Sequence, residues 1–171
     1  NTFKNILVYG NTTDGVQVIG SNDVTFTNAT IHGNGTEGWQ SFAGSTGLVL
    51  KNSIITGNGE GIDSPTGVVT HVNNVVWNNT TNYTGGESAH ASKISSDPLF
   101  IDPDGADNIL GGANGADDNF RYQQIAASQG SDSPALNAGD ATAASLGLDQ
   151  RTTRSDGVTD AGTVDLGYHY T

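Results

Sequence analysis

The sequence predicts an all-β solenoid: a parallel β-helix of about four visible coils, each of roughly 22 residues, followed by a C-terminal cap region. Three observations predict it. A short phrase recurs at nearly constant spacing, no stretch carries a helical period, and aligning the repeats puts like residues in columns.

The phrase is Asn-x-x-apolar-x-x-Asn. It runs Asn5 to Asn11 around Val8, Asn28 to Asn34 around Ile31, Asn52 to Asn58 around Ile55, and Asn73 to Asn79 around Val76. Its first Asn recurs after 23, 24 and 21 residues. One unit, residues 48–67, holds three β-prone runs: Leu48–Leu50, Ser53–Thr56 and a weaker Gly61–Asp63. Asn and Gly separate them, as strand-and-turn chemistry requires. No window of about 12 residues repeats at 3.6, which excludes helical and leucine-rich repeats. Three short strands make one coil, and coils stack at about 4.8 Å.

Alternation along a strand sends every second side chain inward. The alignment gives one inward column of Val8, Ile31, Ile55 and Val76, and another of Phe3, Phe26, Leu50 and His71. Gly15-Val16, Gly38-Trp39 and Gly61-Ile62 begin the third strand. His71 interrupts its apolar column, and a slip of one residue would bring Val72 there instead. The Asn columns have structural reasons. Asn tolerates the left-handed conformation that turns between strands need, and stacked Asn amides can hydrogen-bond along the axis.

The 171 residues suit one domain. Glycine is abundant at 24 residues and hydrophobic residues make up 34%. That is lean for a globular core but enough for the thin column inside a solenoid. The net charge is −12 with six Lys plus Arg, which argues against a nucleic-acid partner. There is no Cys, so disulfides and thiolate metal sites are excluded. No membrane span is legible. Met is absent, including at position 1, which reads as a chain taken from a longer product.

Residues 1–84 are expected to form the coils. Residues 85–171 are expected to form an acidic Gly-rich loop and a capping segment of the same domain. In order, this second part reads Asp97-Pro-Leu-Phe100, Phe120-Arg-Tyr122, Ser133-Pro-Ala-Leu-Asn-Ala-Gly139, Asp149-Gln-Arg151 and Val164-Asp-Leu-Gly-Tyr168. The sequence of phrases resembles the C-terminal region of bacterial extracellular proteins with right-handed parallel β-helix repeats, nearest to the choice-of-anchor Q group. His169 stands where that group usually has Glu. The resemblance implies a right-handed parallel β-helix on a secreted or cell-surface protein, and no particular reaction. A solenoid end needs a cap, for which Leu99, Phe100, Ile101, Phe120, Tyr122, Leu136, Leu166 and Tyr168 are the available anchors. Arg121 and Arg151 are expected to pair with carboxylates and hold the cap.

Asp102, Asp104, Asp107, Asp117 and Asp118 fall in a short Gly-rich stretch without thiolates. Hard cations take six to eight oxygens, so these five are candidate Ca2+ ligands. An acidic turn in which Asp serves the backbone is the plainer reading.

Catalysis is not legible. The acids and bases of the coils are Asp14, Asp23, Glu37, Glu60, Asp63, Lys4, Lys51, His32 and His71. The alignment puts no two acids in adjacent coils on one strand face. A glycan or partner strip is more plausible: Tyr9, His32, Thr56 and Trp77 form an outward column flanked by Leu7, Thr30, Ile54 and Val75. Aromatic faces stack on sugar rings. The competing expectation is that the C-terminal segment folds back over this strip. Phe3 already aligns with Phe26, so the first coil exposes a free edge that upstream coils or self-association would cover. The reading is a non-catalytic structural or adhesive module. Its alternatives are a fragment of a carbohydrate-active enzyme, a polysaccharide lyase or glycoside hydrolase, and a glycan-binding module.

Overall fold

The computed structural model describes residues 1–64 and 69–171, and they form the all-β solenoid. The end of the repeat unit at residues 65–67 lies outside the described residues. The first coil holds β1 (Thr2–Tyr9) and β2 (Val16–Val18), and the second β3 (Thr25–His32) and β4 (Glu37–Ser41). The third holds β5 (Leu48–Lys51), β6 (Ile54–Thr56) and β7 (Glu60–Ser64). The fourth holds β8 (Val69–Val72), β9 (Val75–Trp77) and β10 (Thr81–Gly85). The strands of these coils pair in parallel. One sheet contains β1, β3, β5, β6, β8 and β9, and the other runs β10-β7-β4-β2.

The register is the one the Asn alignment gives. Val8, Ile31, Ile55 and Val76 are successive partners. So are Phe3, Phe26, Leu50 and His71, without a slip to Val72. His71 is tolerated inside because the Glu87 carboxylate meets its Nε2 at 3.2 Å and Tyr83 stacks on its ring.

The two Asn columns do different work. Asn5, Asn28, Asn52 and Asn73 all adopt φ between 51 and 58°, bending the first sheet within each coil. In the first two coils this bend lies inside one continuous strand, so the two expected runs merge. In the second column the residue before each Asn takes the left-handed turn: Gly10, Gly33, Gly57 and Asn78. This frees the second Asn to form a ladder. Asn11 Nδ2 donates to Asn34 Oδ1 at 2.8 Å, Asn34 to Asn58 at 2.9 Å, and Asn58 to Asn79 at 2.9 Å. Asn79 Nδ2 ends the series on Asn82 Oδ1. The backbone N–H of Asn11, Asn34 and Asn58 joins the same acceptors. Each rung thereby satisfies polar groups that burial would otherwise leave unpaired.

The solenoid core combines these columns with Trp39, Ile62, Leu48 and Val18. Beyond it, residues 86–94 lie against β8 and β9 at the end of the fourth coil, while β10 pairs with β7 alone. Ile94 bridges to Val75, Ser92 Oγ accepts from Asn73 N, and Glu87 accepts from Val69 N. The rest is a lateral strap that runs along the outer face of the first sheet back to the first coil. It contains the antiparallel pair β11 (Phe100–Asp102) and β12 (Asn119–Tyr122), and one short helix, α1 (Ala143–Leu146). Tyr122, Ala135 and Leu166 of the strap bury Ile54 and Val75. Four of its ties come from the left-handed Asn column. Asn73 Nδ2 donates to Ala138 O, Asn52 Nδ2 to Asp140, Asn28 Nδ2 to Asp165 O and Asn5 Nδ2 to His169 O.

Neither expected arginine forms an ion pair among the described residues. Arg121 lies 3.8 Å over the Tyr170 ring. Among the described residues, the Lys and Arg ion pairs are Lys51–Asp140 and Arg154–Asp156. Arg121 sits beside an aromatic face, where its planar cation gains from the ring quadrupole and needs no carboxylate. His169 is fully buried, with Nε2 2.9 Å from Asp160 Oδ2 and Nδ1 3.0 Å from the Gly167 carbonyl.

Candidate functional site

The aromatic strip exists in register, since Tyr9, His32, Thr56 and Trp77 are successive partners. The strap covers most of it. The Phe120 ring lies 4.7 Å from Tyr9 and 5.4 Å from His32, and Phe100 lies 5.6 Å from His32. Tyr9 Oη donates to the Gly115 carbonyl. Gly33 suits this place, because its φ is 63° and an added Cβ would fall 2.3 Å from Leu110 Cδ2 of the strap, which would have to move. Only Trp77 stays open, at 37% exposure. It borders a cavity of about 220 Å³ with Thr56, Asn78, Asp97 and Pro98. A continuous sugar groove is therefore reduced to one ring and a small hollow.

Of the five acidic-loop residues, Asp102 ends β11 and the other four lie on the excursion between β11 and β12. Asp117 Oδ2 accepts from Ala106 N at 2.8 Å, Asp118 Oδ2 from Gly111 N at 2.7 Å, and Asp107 Oδ1 from Ile109 N at 2.9 Å. Asp102 and Asp104 are half-buried near the start of the loop. Three of the five thus close turns through backbone N–H groups. Asp118 Oδ1 is shielded and has no hydrogen-bond partner.

Sequence reading passed over a stronger grouping. Adjacent acids do recur on one face, contrary to the alignment-based expectation. The second sheet repeats an acid-Gly-apolar-amide or acid pattern: Asp14-Gly-Val-Gln17, Glu37-Gly-Trp-Gln40 and Glu60-Gly-Ile-Asp63. Glu37 is the register partner of Glu60, and Gln40 of Asp63. The intervening glycines sit where the strand turns against the Asn ladder. A Cβ on Gly38 would be 2.7 Å from Asn58 Nδ2. Gly38 and Trp39 are both buried between half-buried Glu37 and Gln40, which breaks simple alternation, and the 23-residue step from Glu37 to Glu60 falls out of line with the 24-residue step of the Asn phrase.

Oxygen atoms of Glu37, Glu60 and Asp63 approach within 4.8 Å of one another. Gln40 Nε2 donates to Glu37 Oε1 at 3.2 Å and to Asp63 Oδ2 at 2.9 Å, and Thr84 Oγ1 to Glu60 Oε2 at 2.6 Å. Asp14 takes hydrogen bonds from Gln17, Thr36 and the Glu37 backbone N–H. A hydrogen bond from the Glu37 side chain, then one from Thr36, holds the Asp14 carboxyl below its usual range. Glu37 is pushed up, first by that bond to Asp14 and then by burial. The two carboxyls are thus driven in opposite directions by one contact. Chemically the column can hold a hard cation on three carboxylates, or present two carboxyls of unequal acidity side by side.

The two histidines of the first sheet titrate against stability. Burial lowers both His32 and His71, more than the neighbouring carboxylates raise them. The folded chain resists their protonation, so the unfolded chain binds protons first. Their contribution is complete above the ordinary value of 6.5 and is lost as pH falls through it. The thermal midpoint is expected to drop between about pH 7 and pH 5, before most carboxylates titrate. His71→Gln, followed by calorimetry across that window, should flatten the drop.

The family described as right handed beta helix region matches residues 1–116. Compared with curated proteins and with solved structures, the chain finds no match. With more than half its length matched, and with parallel coils that pair in the register of the repeat, the chain belongs to the right-handed β-helix family.

Proposed function

We propose that this chain is a non-catalytic structural module of a secreted or cell-surface β-helix protein. One observation carries the reading: the strap seals the outer face of the first sheet, where a ligand groove would lie. The strap is tied by the left-handed Asn column and packs Phe100 and Phe120 onto His32. The five ordered C-terminal phrases that resemble choice-of-anchor Q proteins support the extracellular setting. A glycan array is the test. Saturable binding lost in Trp77→Ala would replace this reading with a glycan-binding module.

The acidic column favours a second reading, a module that acts on polysaccharide. Paired carboxylates on an open sheet face are the groups glycoside hydrolysis needs. Incubation with neutral and uronate polymers, read as new reducing ends or unsaturated uronate absorbance, separates the two. Turnover abolished by Glu37→Gln would establish the second.

Calcium would stiffen either module. The shielded, unpartnered Asp118 Oδ1 supports a cation at the acidic loop. Millimolar Ca2+ is expected to raise the thermal midpoint, and Asp118→Asn to cancel the rise. If Glu60→Gln cancels it and Asp118→Asn does not, the ion sits on the second sheet.

A further inference from the structure

One left-handed turn of the coils carries a side chain that the fold does not use. Before the second Asn column the turn is made by Gly10, Gly33 and Gly57, but in the fourth coil by Asn78, at φ 51°. Glycine takes that conformation at no steric cost, so the turn itself needs no side chain. The Asn residues at the other left-handed bends, Asn5, Asn28, Asn52 and Asn73, each give their amide to the strap. Asn78 is exposed, and its amide makes no hydrogen bond among the described residues.

Asn78 opens the run Asn78-Asn79-Thr80, an Asn-x-Thr acceptor site for N-linked glycans. Such sites also begin at Asn11, Asn28, Asn34, Asn79 and Asn82, and the fold sorts them. Asn28, Asn34 and Asn79 are buried, with Nδ2 bonded to Asp165 O, Asn58 Oδ1 and Asn82 Oδ1. Asn11 Nδ2 is committed to the ladder. Asn82 is half-buried, and Thr84, the hydroxyl of its site, is bonded to Glu60. At the Asn78 site the amide and Thr80 both lie on the surface. Beside them is the ring of the aromatic strip that the strap leaves open. Trp77 precedes Asn78 and shares with it the hollow of about 220 Å³ that also takes in Thr56 and Asp97. Aromatic faces stack on sugar rings.

We propose that Asn78 carries an N-linked glycan whose first sugar covers Trp77. The donor is a glycosyl diphosphate on a lipid carrier. Asn78 Nδ2 bonds to the anomeric carbon, and the bond from that carbon to the diphosphate oxygen breaks. The lipid diphosphate leaves with the electron pair, and one Nδ2 proton passes to a base of the transferase. The folded coil accepts the product here because no buried hydrogen bond is given up. The attachment also gives a reason for the fourth coil to depart from glycine. This rests on the extracellular setting proposed above, but fails separately. A native protein found in the cytoplasm overturns the setting, whereas a secreted chain bare at Asn78 overturns this proposal alone.

The experiment secretes the whole chain from a host that modifies Asn-x-Thr sites and maps its peptides by mass spectrometry. Asn78 should carry the glycan, and Asn28, Asn34 and Asn79 should be bare in the folded product. Thr80→Ala should remove the glycan, because it breaks the Asn78 site and leaves the Asn79 site intact through Thr81. Iodide quenching of tryptophan fluorescence gives the second readout. Trp39 is fully buried, so quenching reports on Trp77. The glycosylated chain should show a quenching constant about twofold below that of Thr80→Ala, and a thermal midpoint about 2 °C higher. A bare Asn78 in the secreted chain overturns the proposal. So does a glycan on Asn78 that leaves Trp77 quenched as freely as in Thr80→Ala, because the sugar would then not cover the ring.

Discussion

Asn58→Ala is expected to cost about 3–4 kcal/mol of stability, because two buried donors lose their partner at about 1–3 kcal/mol each. Asn58 is 3% exposed. Its Oδ1 accepts from both the backbone N–H and the Nδ2 of Asn34, at 2.9 Å each. Its Nδ2 faces Asn79 Oδ1 and the carbonyls of Ile31 and Thr56. Alanine orphans both Asn34 donors and lets no water in. Asn58→Asp keeps the acceptor for Asn34 but sets a carboxylate against three oxygens, and should be no milder at neutral pH. Asn11→Ala should lose under about 1 kcal/mol, because Asn11 is exposed and only donates, so water replaces its bonds. Urea unfolding of the three variants measures the gradient. Equal losses at Asn11 and Asn58 would mean that the ladder aligns coils without stabilising them.

The coils were legible because their physics is local and periodic. Phe3, Phe26, Leu50 and His71 fall in one column for the same reason that the Asn phrase repeats: one coil length sets both. The lateral strap was half legible. The sequence raised the possibility of fold-back over Tyr9 and His32, because a long apolar-anchored segment must pack somewhere. It could not show that residues 86–94 cover β8 and β9, which depends on where Ile94 and Ser92 land relative to Val75 and Asn73. The acidic column was missed for a specific reason. Glu37 and Glu60 are 23 residues apart whereas the Asn phrase steps by 24 there, so alignment on Asn sets Glu37 against Gly61. The signal was present in the recurrence of an acid immediately before each of Gly15, Gly38 and Gly61. The arginine pairing failed because net charge says nothing about what lies within reach of one guanidinium, and Tyr170 lies nearer to Arg121 than a carboxylate does.

Trp39 ties the core to that acidic column. Its side chain is fully buried between its register partners Val16 and Ile62, with Phe26 edge-on at 6.3 Å. Trp39→Ala should cost about 4 kcal/mol, since the cavity left by a large aromatic is only partly filled by relaxation. Trp39→Phe should be far milder. The indole Nε1 is buried without a hydrogen-bond partner, so removing it relieves an unsatisfied donor and offsets part of the lost volume. A loss below about 1.5 kcal/mol is expected for Phe, within the range of near-volume core exchanges. The pair also separates packing from site geometry. Gly38 and Trp39 lie between Glu37 and Gln40 in the strand, so Trp39→Ala should loosen the Asp14–Glu37 contact that raises the Glu37 carboxyl. Carboxyl-detected NMR titration should find Glu37 returning toward the ordinary glutamate range in Trp39→Ala and staying raised in Trp39→Phe. A Phe variant as unstable as the Ala variant would show that the indole N–H is satisfied after all, and that the shape of the ring fixes this turn.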